Sequence, residues 1–463
     1  MLIDRYFYEY DFNSNLKKSD VGQIVYDVED DAYEKSDEFW EENRYMPLSE
    51  ADKNAYLLLD TIGEEIHADA LIRFYNAIME WKVPVGKYLS IPLNRVIKIS
   101  SYQKIYLGMG LETSPQLCEL LQVGGYWGWG FKDKAAKWGG YSNWMLHKNT
   151  NFKATVAYRH DLNESGMPEI MFYDANIFKV DTYRQYLPTL MDMLTTYFVD
   201  FSINPFKSFR FTTGFHVTNK VPTYNYKYLC EDENGGFVEQ EVFDFTTFKF
   251  GVRFALNEKF EKSKYGLRSL GTKFPILSVN YERGIKGLLG GGYDYNKYEL
   301  SLEYDAKISN FMKLELDVMS GYLDSEIPYT NLFNVPAGYH EFTYYAPGAF
   351  GAMRIGEFVS DIYMYVFLKY DFKNILNSKG FFRLSPSLVY NYGYGNMLNN
   401  NVEHHQEVDF KVMNEGYHEV GLLFNDLIAT DETGMGLGVY YRLGAYSFDK
   451  IMENFAYKFT VTF

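Results

Sequence analysis

Glu453-Asn454-Phe455-Ala456-Tyr457-Lys458-Phe459-Thr460-Val461-Thr462-Phe463 is the stretch that decides the fold. In an extended chain successive side chains point to opposite faces. Phe455, Tyr457, Phe459, Val461 and Phe463 therefore share one face, and Asn454, Ala456, Lys458, Thr460 and Thr462 share the other. The result is an apolar-out, polar-in stripe about as long as one strand crossing of a bilayer. A half-buried strand of a water-soluble sheet would carry the same pattern once, so what matters is how often the chain repeats it.

Working back from this stretch, the repeat persists to about residue 82. Phe152, Ala154, Val156 and Tyr158 oppose Lys153, Thr155, Ala157 and Arg159, and Phe209, Phe211, Thr213, Phe215 and Val217 oppose Arg210, Thr212, Gly214 and His216. Phe248, Phe250, Val252 and Phe254 oppose Lys249, Gly251 and Arg253, while Leu314, Leu316 and Val318 oppose Lys313, Glu315 and Asp317. Similar segments fall near 103–112, 119–131, 136–146, 191–204, 272–283, 294–306, 356–373, 380–395, 415–425 and 434–445. A soluble sandwich rarely sustains so many strands in one domain. Charge keeps to one face, and a charge facing lipid at the midplane costs about 2–4 kcal/mol. Lys153, Arg159, Arg210, Lys249, Arg253, Lys313, Glu315 and Asp317 are therefore assigned to the lumen of a barrel.

Composition narrows the class further. The chain is 47% hydrophobic, yet no run approaches the roughly 18–20 apolar residues of a membrane helix. Its 43 Tyr and 37 Phe are enough for the aromatic girdles of a membrane barrel. A net charge of −16 argues against nucleic acid, because nothing would neutralise phosphates. Cys118 and Cys230 make no disulfide framework and have no zinc-site spacing. Met1-Leu2-Ile3-Asp4 opens no secretory signal. A barrel must be exported, so the sequence reads as a fragment or a processed chain.

Residues 1–81 read differently, as a small α+β segment on the periplasmic side. Tyr6, Tyr8, Tyr10 and Phe12 alternate, as do Ile24, Tyr26 and Val28, which predicts two short strands. The acidic stretch 27–42 reads as a solvated linker. Ser49 opens a helix with Glu50 and Asp52 in its first turn, and a second helix is expected over 64–81.

Residues 82–463 form the barrel, and connection lengths set its threading. Outer-membrane barrels join strands by short turns on the periplasmic side and long loops outside. Counting back from Phe463 on the periplasmic side gives inner turns at 306–310, 204–207, 147–151 and 113–117. It gives outer loops at 396–416, 323–355, 219–239 and 162–190. Parity then requires one outward strand before 103–112, and 83–93 is its candidate, bringing the count to about sixteen. Both termini fall in the periplasm.

Chemical motifs are weak. Gly287-Leu288-Leu289-Gly290-Gly291-Gly292 precedes a strand rather than a helix, so it reads as a tight outer hairpin rather than a phosphate cradle. His404-His405 with Glu407 lacks the spacing of a defined metal site and reads as the polar tip of a loop. Asp232 to Gly236 reads as a turn. Serines and histidines occur without the spacing that would pair a nucleophile with a base. The expectation is therefore no enzyme, no cofactor and no metal.

The chain resembles a known family on several spaced motifs. These are Phe39-Trp40-Glu41-Glu42-Asn43-Arg44 with Pro47-Leu48-Ser49-Glu50 and Tyr56 to Asp60, Gly124-Gly125-Tyr126 with Gly130-Phe131-Lys132-Asp133-Lys134, and Gly284-Ile285-Lys286-Gly287 with Tyr293-Asp294-Tyr295. Glu357-Phe358-Val359-Ser360-Asp361, Pro328-Tyr329 and Ala349-Phe350 complete the set. Together they resemble domain of unknown function 5686, an outer-membrane family whose full-length members carry a signal peptide and a carboxypeptidase-regulatory-like domain ahead of a barrel. The resemblance covers roughly residues 27–463, implies an outer-membrane location and brings no established activity. A chain ending on an aromatic residue also resembles outer-membrane barrels generally, whose closing strand is the signal read by the assembly machinery. That assigns Phe455, Tyr457, Phe459, Val461 and Phe463 to an assembly signal. The expected partners are outer-membrane lipid, the barrel-assembly machinery and a periplasmic protein. The expected function is a transport or porin-like scaffold with its lumen occluded by loops 162–190 and 323–355. The alternative is an assembly or surface-display partner acting through the periplasmic segment.

Overall fold

A computed structural model describes residues 23–27, 35–44, 47–50, 52–56, 58, 82–167, 187–231, 235–263, 266–339, 342–372, 376–377, 383–429 and 433–462. Among them no helix is long and apolar enough to cross a membrane. The long strands are Lys104–Thr113, Leu121–Gly130, Ala136–His147, Phe152–Glu164, Met191–Phe206, Phe209–Pro222, Phe243–Ala255, Ile276–Gly284, Tyr295–Lys307, Met312–Leu323, Ile362–Phe372, Arg383–Asn396, Tyr417–Ala429, Gly434–Leu443 and Phe455–Thr462. They lie in a closed barrel, each antiparallel to the next in this order.

The two-residue alternation accounts for the wall. Along Phe209–Pro222 half-buried and buried residues alternate almost without interruption. On Gly434–Leu443 Met435 and Leu437 are 50% and 48% exposed while the glycines between them are buried. Strand-to-strand pairing round the wall satisfies backbone groups that lipid cannot, which is why a membrane tolerates this architecture.

The first wall strand departs from expectation. Residues 83–93 are not one crossing strand: Lys82–Val85 and Leu89–Pro92 fold back on each other as a hairpin. The place beside Lys104–Thr113 is taken by Leu89–Pro92 and Ile97–Ser100, interrupted by the 3-10 turn Leu93–Arg95. Leu89 faces Thr113 and Ile97 faces Leu107, so eight steps on one strand span six on its neighbour. The sequence explains both features. Gly86 holds φ +67° at the hairpin turn, and Pro92, with no N–H to give the ladder, stands where the strand breaks.

One end of the barrel has tight connections, such as the Lys207-Ser208 turn, and the other has long ones at 165–190, 223–242, 285–294, 324–361 and 397–416. The connection 256–275 is an exception at the tight end. It builds its own hairpin, Lys259–Ser263 with Gly266–Gly271, and Ile24–Asp27 adds to it as a parallel strand. The sequence predicts a strand at 24–28 but not this partner. The acidic linker is also corrected, because Asp37–Asn43 is an α-helix whose N-cap Ser36 accepts from the Phe39 amide. Residues 50, 52–56 and 58 are helical after Ser49, whose Oγ accepts from the Asp52 amide at 3.2 Å. The strand expected at 6–12 and the helix expected at 64–81 lie outside the described residues.

Candidate functional site

Apolar residues of the 324–361 connection are buried inside the barrel. Ile327, Tyr329, Leu332, Phe333, Val335, Ala337, Phe350 and Met353 are all at most 5% exposed and pack against inward-facing Phe243, Phe245, Tyr295, Tyr363, Tyr365, Phe367 and Tyr417. Phe350 meets Tyr365 and Tyr417 edge-on at 5.7 and 5.3 Å, a favourable arrangement of ring quadrupoles. The wall gives way to fit them. A Cβ on Gly321 would sit 2.3 Å from Tyr363 and 2.8 Å from Phe333, so only glycine leaves room for both rings there.

An irregular loop away from water must find partners for its own N–H and C=O groups. Wall side chains supply them. Lys220 Nζ donates to Thr330 O and Asn331 Oδ1, both at 3.1 Å, and Lys297 Nζ donates to Asn331 O at 3.0 Å. Lys458 Nζ donates to Gly338 O at 2.8 Å. Glu419, fully buried, accepts from the amides of Gly351 and Ala352 at 2.6 and 2.9 Å, from Asn391 Nδ2 at 2.7 Å and from Tyr417 OH at 3.1 Å. Arg442 donates through both terminal nitrogens to Glu357, at 2.9 and 2.8 Å, the bidentate geometry that makes such pairs specific.

Neighbouring loops lock the plug from above. Asp361 accepts from the amides of Leu398, Asn399 and Asn400, and Asn400 Oδ1 accepts from the Ile327 amide at 2.7 Å. Tyr226 OH accepts from the Tyr329 amide at 2.8 Å and shares a hydrogen bond with His405 Nδ1 at 2.9 Å. His405 thus corrects the reading of His404-His405 as a polar tip: it is 5% exposed among Tyr226, Tyr228 and Phe410. Burial, reinforced by the neighbouring His404, pushes its imidazole down to about 4. His404 pairs with Glu326 instead. Among the described residues no group of three His, Cys, Asp or Glu side chains is placed to hold a metal.

The eight charges assigned from alternation have varied surroundings. Lys249 is 7% exposed and lies 3.5 Å from Glu282, and Arg253 grips Glu258 through two bonds of 2.9 Å. Lys313 bonds Asp305 at 2.9 Å and Glu315 at 2.6 Å, and Glu315 reaches Lys369 at 3.3 Å. Asp317 stands opposite Glu303, and half-buried Arg210 stands opposite Arg253. Arg159 is half-buried and Lys153 is exposed. The wall residues that carry the plug are a different set: Lys220, Lys297, Glu419, Arg442 and Lys458. Two signals for this joint were present in the sequence. Lys458 lies on the polar face of the closing strand, and the motif stretches Glu357 to Asp361, Pro328-Tyr329 and Ala349-Phe350 turn out to be plug anchors.

On the closing strand Tyr457 and Val461 are 46% and 38% exposed and Phe455 and Phe459 are half-buried, while Ala456, Lys458 and Thr460 are buried. Phe463 lies outside the described residues. So do 168–186 of the other expected occluding loop, although its Gly166 amide donates to Thr330 O at 3.2 Å. The Asp232 turn is likewise outside, apart from Gly235 and Gly236. The glycine-rich stretch is a loop with the 3-10 turn Leu288–Gly290, joining Ile276–Gly284 to Tyr295–Lys307.

Of the motifs, the Gly284 to Tyr295 stretch lies within a region that matches a family model. Residues 193–326 match the C-terminal domain of a family of unknown function, DUF5686. No curated protein matches the chain in sequence. Similar solved structures are outer-membrane β-barrels. BamA from Haemophilus ducreyi lacking POTRA domains 1–3 is 9% identical with a TM-score of 0.48, covering 79% of this chain and 69% of that one. CdiB from Escherichia coli is 8% identical with a TM-score of 0.46, covering 81% of this chain and 62% of that one. The siderophore receptor PirA from Pseudomonas aeruginosa is 10% identical with a TM-score of 0.32, covering 77% of this chain and 65% of that one.

Proposed function

We propose that the chain is an outer-membrane conduit of sixteen staves, counting 89–100 as one, held shut by its own 324–361 loop. Residues 1–81 and both termini are placed in the periplasm, with assembly by the barrel-assembly machinery through the closing strand. No catalytic role is assigned. An interior of this circumference is too wide for wall side chains to fill, so it holds either water or a plug. The observation that carries the proposal is the wall–plug joint. Lys220, Lys297 and Lys458 give hydrogen bonds to plug carbonyls, and Glu419 and Arg442 hold plug groups at two further points.

Polar anchors suit a plug that can leave. Such groups regain hydration in an opened lumen, whereas a wholly apolar joint would expose a greasy surface. The charged ladder of Lys313, Glu315, Asp317 and Lys369 would then line the opened path and set its ion preference. The test is conductance of the purified barrel in a planar bilayer. Little steady current is expected from the intact chain, and deletion of most of 324–355 should raise it. Large, stable, ion-selective currents from the unmodified chain would overturn the reading in favour of an open porin.

A further inference from the structure

The closing strand Phe455–Thr462 has two unlike edges. One pairs along its whole length with Gly434–Leu443, from Phe455 opposite Tyr441 to Thr462 opposite Gly434. Among the described residues the other carries only Phe342–Tyr344 of the plug loop, in parallel, with Phe342, Thr343 and Tyr344 opposite Tyr457, Lys458 and Phe459. The Tyr345 amide closes this short ladder on Phe459 O at 2.9 Å. Among the described residues no ladder joins the closing strand to the first wall strand. That strand is covered in its turn by Lys82–Val85. At the seam each barrel edge is therefore paired to a short piece of its own chain.

An edge facing hydrocarbon must have its N–H and C=O groups paired. The resident piece does this over three residues, in the less stable parallel sense, on a strand of eight. It also imitates a wall strand. Tyr344 points to the lipid side, 55% exposed and edge-on to Phe459 at 6.0 Å, while Thr343 is 7% exposed beside Lys458. An aromatic outside and a small polar residue inside is the alternation of a membrane strand.

We propose that the seam edge of the closing strand is an acceptor site for an extended strand of another polypeptide, one alternating outward aromatic with inward small polar residues. Phe342–Tyr344 is its resident occupant. A longer guest, paired over more of the eight residues, satisfies more backbone groups than the resident does. Displacing the resident also pulls on the plug, because Gly338 O is held by Lys458 Nζ from the same strand. The inference goes beyond the conduit reading and does not depend on it, since strand capture is read without any measurement of current.

The test uses the full chain in nanodiscs, with Cys118→Ser and Cys230→Ser to clear the background. Tyr344→Cys with Phe459→Cys supplies a reversible lock, since facing residues of paired strands lie within disulfide reach. A photoreactive benzoylphenylalanine at Val461 reports capture. The probe is a synthetic peptide Phe-Ala-Tyr-Lys-Phe-Thr-Val-Thr, and the control is a scrambled peptide without alternation. The expected result is crosslinking of the alternating peptide to the reduced protein, loss of that crosslink on oxidation, and background crosslinking of the scrambled peptide in both states. Equal capture in the locked and unlocked states, or of both peptides, would overturn the proposal. So would no capture by the reduced protein together with none by a Thr343→Pro variant that still forms a heat-modifiable barrel.

Discussion

Replacing Glu357 by Gln should loosen the plug more than any other single change at the joint. Arg442 has no exposed side-chain surface and Glu357 has 8%. The guanidinium is enclosed by Phe448 at 4.4 Å and Tyr417 at 5.0 Å. Removing one partner of such a pair leaves the other charge buried and uncompensated, at a cost of about 3–5 kcal/mol. The rings flank Arg442 in both forms and offset nothing new. Lys411, 3.8 Å from Glu357 but 58% exposed, adds little. At about 1.4 kcal/mol per decade, the population of plug-released molecules should rise by roughly two to three and a half decades. Hydrogen exchange of the amides of residues 342–361, followed by mass spectrometry, reads that local opening. Adding Arg442→Met removes the stranded charge and should restore most of the protection. Exchange in Glu357→Gln within about threefold of the parent, or a double variant no better protected than the single one, would refute the assignment of this pair as the anchor.

Acid should release the outer lock. Because His405 titrates near 4 in the fold against an ordinary 6.5, the freed loop binds a proton first, so stability present above about pH 6.5 is lost as the pH falls towards 4. The loss amounts to about 3 kcal/mol by pH 4, and proteolysis of the 397–416 loop across this range should be flattened by His405→Phe; an unchanged profile would count against the burial argument. Leu437→Arg, at a lipid-facing position 48% exposed, should lower the heat-modifiable folded fraction, since an arginine near the midplane costs about 2–4 kcal/mol, whereas a folded yield equal to that of Leu437→Ile would argue against the facing. Cys118 and Cys230 are both free thiols at opposite ends of the threading. A membrane-impermeant reagent on intact cells should label Cys230 and spare Cys118, slowly because burial raises the Cys230 thiol, and labelling of Cys118 instead would invert the orientation.

The wall was legible because a strand's side-chain period is a local property. Tyr457, Phe459 and Val461 declare their face relative to Lys458 and Thr460 with no knowledge of any partner, and the same holds for Phe248 and Phe250 against Lys249. The break in the first wall strand was less legible. Pro92 and Gly86 were visible, but the alternation of 83–93 continues through a hairpin as readily as through one strand, and only pairing with Lys104–Thr113 separates the two.

The plug is where local information ran out. From sequence, 323–355 is expected to occlude the lumen, yet no periodicity could say against which wall residues it packs. Glu357 and Arg442 are 85 residues apart, and Gly338 and Lys458 are 120 apart. On the wall strands Arg442, Glu419 and Lys220 look like any other inward polar residue. Sequence by itself determined that the chain is a β-barrel, because a strand's alternation is written residue by residue. Which charged residues hold the 324–361 loop was decided only when strand pairing brought distant strands around the same segment.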